Sequence, residues 1–136
     1  GMNCYMAVEL GATKAVGVEA NPKIASAAVR LNAYFAMPCH FIMHDLNEQL
    51  PDIGEFDTVF CFSLVAHLRS TDAVVATMKR TAAKVVYFEG HANTTQRDYE
   101  YLLNSDNFST IDLIGHGCDG IHTTTRTRPL FRCEVG

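Results

Sequence analysis

The chain has 136 residues, is 48% hydrophobic and carries a formal net charge of -4. That is enough apolar material for one domain with a real core, and too little basic charge to mark a nucleic-acid-binding surface. No apolar run reaches the roughly 20 residues of a membrane span, and no signal-peptide pattern opens the sequence, so a cytoplasmic protein is expected. Cys4, Cys39, Cys61, Cys118 and Cys133 are scattered without a C-x-x-C pair, which favours reduced thiols; Cys61 and Cys133 read as core residues of strands.

The first segment, MNCYMAVEL, is apolar nearly all round and ends at Gly11, as a buried helix with a glycine cap would. KAVGVE follows as a buried strand closed by Glu19. NPKIASAAVRLNAYF then supplies a helix start, with Asn21 as N-cap and Pro22 at the first helical position. Ile24, Ala27, Ala28, Leu31 and Phe35 recur at helical spacing and are expected to face a sheet. CHFIMHD reads as a short strand closed by Asp45, and LNEQLPDIGEF as a loop.

DTVFCFS is the most strand-like run. Ser70, Thr71 and Asp72 signal a helix start ahead of AVVATMKRTA, whose Val74, Val75 and Met78 form its apolar side. KVVYFEG is a further strand. TTQRDYEYLLNS opens with Thr95 and Asp98 in capping-box spacing and turns Leu102 and Leu103 inward. FSTIDLIG and PLFRCEV close the chain as two strands joined by a threonine-rich loop, whose arginines read as a solvated hairpin tip. Strands alternating with helices, then a strand pair, predict one α/β domain over residues 1–136, mostly parallel with an antiparallel edge.

Carboxylates at the ends of VGVEANP and FIMHDL, followed by FDTVFCFSLVAHL, make the chain resemble the class I S-adenosylmethionine-dependent methyltransferases over nearly its whole length. The resemblance implies a Rossmann-like fold with S-adenosylmethionine as cofactor and a small molecule as methyl acceptor. It implies Glu19 as the ribose ligand and Asp45 as the partner of the adenine amino group, with Leu46 beside it. Ser63 and His67 would then lie beside the methionine part of the cofactor, the loop after VVYFEG, with His91, would face the acceptor, and His67 and His91 are the candidates to touch substrate or act as general base. In that family a glycine-rich turn joins the first strand to the first helix; MNCYMAVELGA matches that helix, and Gly1 stands where the last glycine of the turn would be. The Gly-Met start also fits an expression scar before Met2.

A chain without the family's first strand leaves KAVGVE and DTVFCFS each with an unpaired side, which direct pairing, a foreign strand or dimerisation would relieve. A homodimer is expected, partly because MNCYMAVEL is too apolar to face water. The alternative to an active enzyme is a truncated, catalytically inactive domain or scaffold that does not bind the cofactor. A nicotinamide-dependent oxidoreductase would share the acidic strand end but lacks its glycine fingerprint here.

Several of these residues also have plain structural readings. Glu19 suits the N-terminus of the next helix, Asp45 suits a loop cap, and Glu89 suits a loop-fixing hydrogen bond or a place on the ligand rim. His40 and His44 share a strand face without further ligands nearby, and His116 to Cys118 is not a paired motif, so no metal site is expected.

Overall fold

The computed structural model describes residues 1–92, 94–104, 108–118 and 127–136, with the side chains of Ala66, Leu103, Asn104 and Cys118 outside that description. It packs as two compact units, Gly1–Leu50 and Pro51–Gly136.

The first unit contains α1 (Met2–Glu9), β1 (Ala15–Glu19), α2 (Pro22–Phe35) and β2 (Cys39–Met43). Helix α1 stops at a Schellman turn: the amides of Gly11 and Ala12 donate to the carbonyls of Val8 and Ala7, and Gly11 takes φ +104°. A side chain is strained in that left-handed backbone, which explains the glycine. Helix α2 begins as expected, with Asn21 Oδ1 accepting from the amides of Lys23 and Ile24. β1 and β2 pair in parallel with Glu19 opposite Met43, so both strands end on one rim.

Two expectations fail in this unit. No residue of α1 is buried, and Met2, Met6 and Leu10 are exposed. On α2 the expected stripe holds only in part: Ala28 is buried and Ala27 half-buried, but Ile24, Leu31 and Phe35 are exposed, and Ala25 is buried instead. Asn32, seven residues after Ala25, donates from Nδ2 to the Cys39 carbonyl at 2.7 Å, and Tyr5 donates its hydroxyl to the Ala28 carbonyl at 2.9 Å.

The second unit runs β3 (Phe56–Cys61), a 3-10 turn (Val65–His67), α3 (Asp72–Thr81), β4 (Ala82–Glu89), α4 (Thr95–Asn104), β5 (Thr110–Cys118) and β6 (Thr127–Glu134). Its sheet order is β3-β4-β6-β5, with β3 parallel to β4 and the other two pairings antiparallel. β6 alternates strictly, burying Pro129, Phe131 and Cys133. With Val86 and Phe88 of β4, Val75 of α3 and Leu102 of α4, they form a core in which each large apolar side chain contributes about 1.5 to 3 kcal/mol.

Helix α4 starts one residue earlier than the capping-box spacing predicts. Thr94, not Thr95, caps it: the Thr94 carbonyl accepts from the Asp98 amide, and Thr94 Oγ1 donates to Asp98 Oδ2 at 2.6 Å. The threonine-rich segment 119–126, with Arg126, lies outside the described residues, as do the side chains of Leu103 and Cys118.

β1 bonds only β2, and β3 bonds only β4, among the described residues.

Candidate functional site

The rim of the first unit is built by the ends of two adjacent parallel strands. Glu19 closes β1, half-buried, and its Oε1 accepts the Asn21 amide at 2.8 Å. Its carbonyl accepts the His44 amide at 3.1 Å, which brings the segment after β2 alongside. Two residues beyond β2, Asp45 Oδ1 accepts from the backbone amide and side-chain amide of Asn47, at 2.9 and 2.8 Å. This is an Asx turn, so Asp45 does cap its loop. Leu46 is half-buried beside it. Gly1 precedes α1, and a Cβ there would lie 2.9 Å from the Phe41 ring and 3.2 Å from the Ala28 methyl, so packing alone explains its lack of a side chain.

His40 lies on β2, but His44 lies beyond it, and its Nε2 is 3.4 Å from the Glu48 carbonyl. They do not share a strand face as the spacing implied. Among the described residues no cluster of histidine, cysteine or acidic side chains is arranged to hold a metal.

The second unit carries a more elaborate rim. Ser63, two residues after β3, has φ +55°, a left-handed backbone that non-glycine residues adopt only when held there. Glu89, closing β4, does the holding: its Oε2 accepts both the Ser63 amide and the Ser63 hydroxyl, each at 2.8 Å. Arg128 of β6 completes the cluster, with Nη1 2.7 Å from Ser63 Oγ and 3.3 Å from Glu89 Oε2. The Arg128 and Glu89 side chains are 25% and 16% exposed, so the pair is partly desolvated and less screened than a surface ion pair.

Arg128 was expected in a solvated hairpin tip and instead lies in β6, opposite Gly117. Its partners are 39 and 65 residues away in sequence, and only the antiparallel register of β6 brings it to them. Alternation along PLFRCEV could have placed Arg128 on a strand, but nothing local pointed to Glu89.

His67 and His91 are both exposed. His67 sits in the 3-10 turn, its amide bonded to the Leu64 carbonyl at 2.9 Å. His91 begins the loop after β4, where Asp98 Oδ2 accepts its amide at 2.8 Å. Asp98 is 6% exposed and wedges against Gly90, where any Cβ would collide with Asp98 Oδ2 and with Pro129. The glycine at that position therefore lets a buried carboxylate fix the loop that carries His91. His116, on β5, has Nε2 3.3 Å from Thr95 Oγ1.

Burial pushes the Cys61 thiol up to about 12, with the Glu89 charge adding to it. Burial likewise pushes Cys133 up to about 12. Both are neutral core thiols, as expected of them, and poor nucleophiles. A cavity of about 360 Å³ lies beside Asp52 to Glu55, Arg80 and Thr81, at the opposite end of β3 from Ser63. It is lined by none of the strand-end residues.

No protein-family model and no curated protein matches this sequence. Solved structures do. Magnesium protoporphyrin IX methyltransferase (ChlM) from Synechocystis PCC 6803, crystallised with SAM, superposes with a TM-score of 0.74 at 18% identity, over 99% of this chain and 64% of its own. The YcgJ protein of Bacillus subtilis gives 0.74 at 10% identity, over 96% of this chain and 86% of its own. The chain has the Rossmann-like fold of class I S-adenosylmethionine-dependent methyltransferases. A branched-chain polyamine synthase mutein from Thermus thermophilus, bound to 5'-methylthioadenosine, shares it with a TM-score of 0.63 at 17% identity, over 90% of this chain and 44% of its own. The chain thus spans about two-thirds of the methyltransferase's length and under half of the synthase's.

Proposed function

We propose that residues 1–136 are one methyltransferase-like domain that uses S-adenosylmethionine to methylate a small molecule. The observation that carries the reading is the rim of the first unit, where Glu19 closes β1 and Asp45 follows the neighbouring parallel strand β2, in a fold whose solved relatives were crystallised with SAM, SAH or 5'-methylthioadenosine. Glu19 fits a ribose ligand on its own geometry. One oxygen is used by the Asn21 amide, and Oε2 has no hydrogen-bond partner among the described residues. Asp45 and Leu46 would take the adenine and Gly1 would adjoin the amino-acid end; the roles of Ser63 beside the methionine part, and of His67 and His91 toward the acceptor, rest on the sequence resemblance alone.

When bound, the sulfonium supplies an already activated methyl group. What remains for the protein is alignment and, for some acceptors, removal of a proton. Glu89 and Arg128 hold Ser63 in its left-handed conformation, and Asp98 holds the loop bearing His91, so the groups assigned to alignment are themselves fixed.

The second reading is a scaffold without cofactor binding. It is favoured by the local hydrogen bonds of Glu19 and Asp45, which explain both carboxylates without a ligand. Calorimetric titration with S-adenosylhomocysteine separates the two. We expect binding that Glu19→Ala weakens by about 1 to 3 kcal/mol, the range for a lost charge-assisted hydrogen bond. No heat of binding would leave the scaffold. Binding unchanged in a folded Glu19→Ala variant would remove the ribose role.

We include in this reading a homodimer. Its support is the apolar surface of the first unit, where Met2 is 68%, Leu10 85% and Tyr34 83% exposed.

A further inference from the structure

Helices α3 and α4 are clasped at one end, where the Tyr101 hydroxyl donates to Asp72 Oδ1 at 2.9 Å. Beside that clasp lies a second cavity of about 170 Å³, lined by Val65, Thr71, Phe88, Arg97, Asp98 and Tyr101. All six belong to the second unit. Its inner wall is apolar, since Phe88 is 2% exposed and Val65 is half-buried. Apolar cavities of about 150 Å³ take up benzene, so this volume suits a single ring or a short branched chain.

The polar lining is divided by depth. Asp98 is 6% exposed, and its Oδ2 already accepts the His91 amide and the Thr94 hydroxyl. The Tyr101 hydroxyl is committed to Asp72, and Asp72 thereby has a donor. Arg97, by contrast, is exposed and has no hydrogen bond or ion pair among the described residues. The deep carboxylate is therefore served by protein donors, while the guanidinium near solvent offers a planar fork of unused ones. An amphiphile of matching polarity has an apolar body and one anionic head.

We propose that this cavity binds a small aromatic or branched aliphatic carboxylic acid, its body against Val65, Phe88 and Tyr101 and its carboxylate on Arg97. Taking that acid as the methyl acceptor rests on the methyltransferase reading; the binding itself does not. Asp98 and Asp72 are the opposing charges. They disfavour an anion placed deep in the cavity, and so orient the acid with its head toward Arg97.

The test is a charge series of nearly equal shape, benzoate, benzyl alcohol and benzylamine, titrated into the isotope-labelled full chain and followed by amide resonances. Benzoate is expected to shift Val65, Thr71 and Tyr101. The expected loss is about tenfold for benzyl alcohol, and for benzoate with Arg97→Gln, as for removal of one charge-assisted pair. Arg97→Lys should recover part of it. Arg97 is exposed, so these variants are expected to fold.

Benzylamine binding more tightly than benzoate would overturn the proposal, as would benzoate binding undiminished in Arg97→Gln or no benzoate shifts at millimolar concentration. Benzoate shifts at these residues in a protein that ignores S-adenosylhomocysteine would keep the subsite and remove the methyltransferase reading. The reverse result would do the opposite.

Discussion

Glu89 is where residue-level chemistry does most to shape this molecule. One carboxylate oxygen accepts the Ser63 amide and hydroxyl and faces Arg128, and together these contacts keep Ser63 at φ +55°. Glu89→Ala should cost about 2 kcal/mol, because two donors and a partly desolvated guanidinium lose their shared acceptor. Ser63→Gly should cost much less, since relief of the left-handed strain offsets loss of the hydroxyl. Denaturant unfolding of both variants measures the difference; equal losses would show that Glu89 does not hold the turn. The sequence marked Ser63 and Glu89 separately, each as a strand-end residue. It could not join them, because their hydrogen bonds depend on the register of β3 against β4, and Arg128 depends on a second register across β6.

At the scale of elements, every strand and helix inferred from the sequence is present, because each has a local cause. Asn21 and Pro22 start α2, Gly11 stops α1, and Val74, Val75 and Met78 are the side of α3 that is buried. Orientation was less legible. Helical spacing placed Ala28 inward with Ile24, Leu31 and Phe35, but it fits Ala25 and Ala28 equally well, and these two are the pair that is buried. Thr94 and Thr95 are equally good caps, and Asp98 selects the first.

The packed elements of the second unit also fix a pH response. The Cys61 and Cys133 thiols and the Tyr101 phenol are raised to about 12, all chiefly by burial. In the unfolded chain thiols and phenols ionise near 9 and 10. The folded state therefore keeps protons that the unfolded state releases. Its stability is full below about pH 9 and falls as pH rises toward 12. Thermal midpoints taken at pH 8 and pH 10.5 should show a clear decrease. An unchanged midpoint would mean that these groups are not buried as described.

At the scale of the molecule, the sequence indicated the fold, and the proposed homodimer draws on the exposed Met2 and Met6 of α1 and Leu10 just after it. Replacing Met6 by Glu should shift light scattering from dimer toward monomer, since a charge in an apolar contact is strongly disfavoured. A wild-type protein that scatters as a monomer at micromolar concentration would refute the dimer.

The claim that matters most is that the strand-end rims are a cofactor site. Amide resonances of the full chain followed during titration with S-adenosylhomocysteine test it most directly. The account predicts saturable shifts that include Val18 to Asn21 and Met43 to Asn47. Saturable shifts centred instead on Asp52 to Glu55 and Arg80, or no shifts at millimolar ligand, would contradict it.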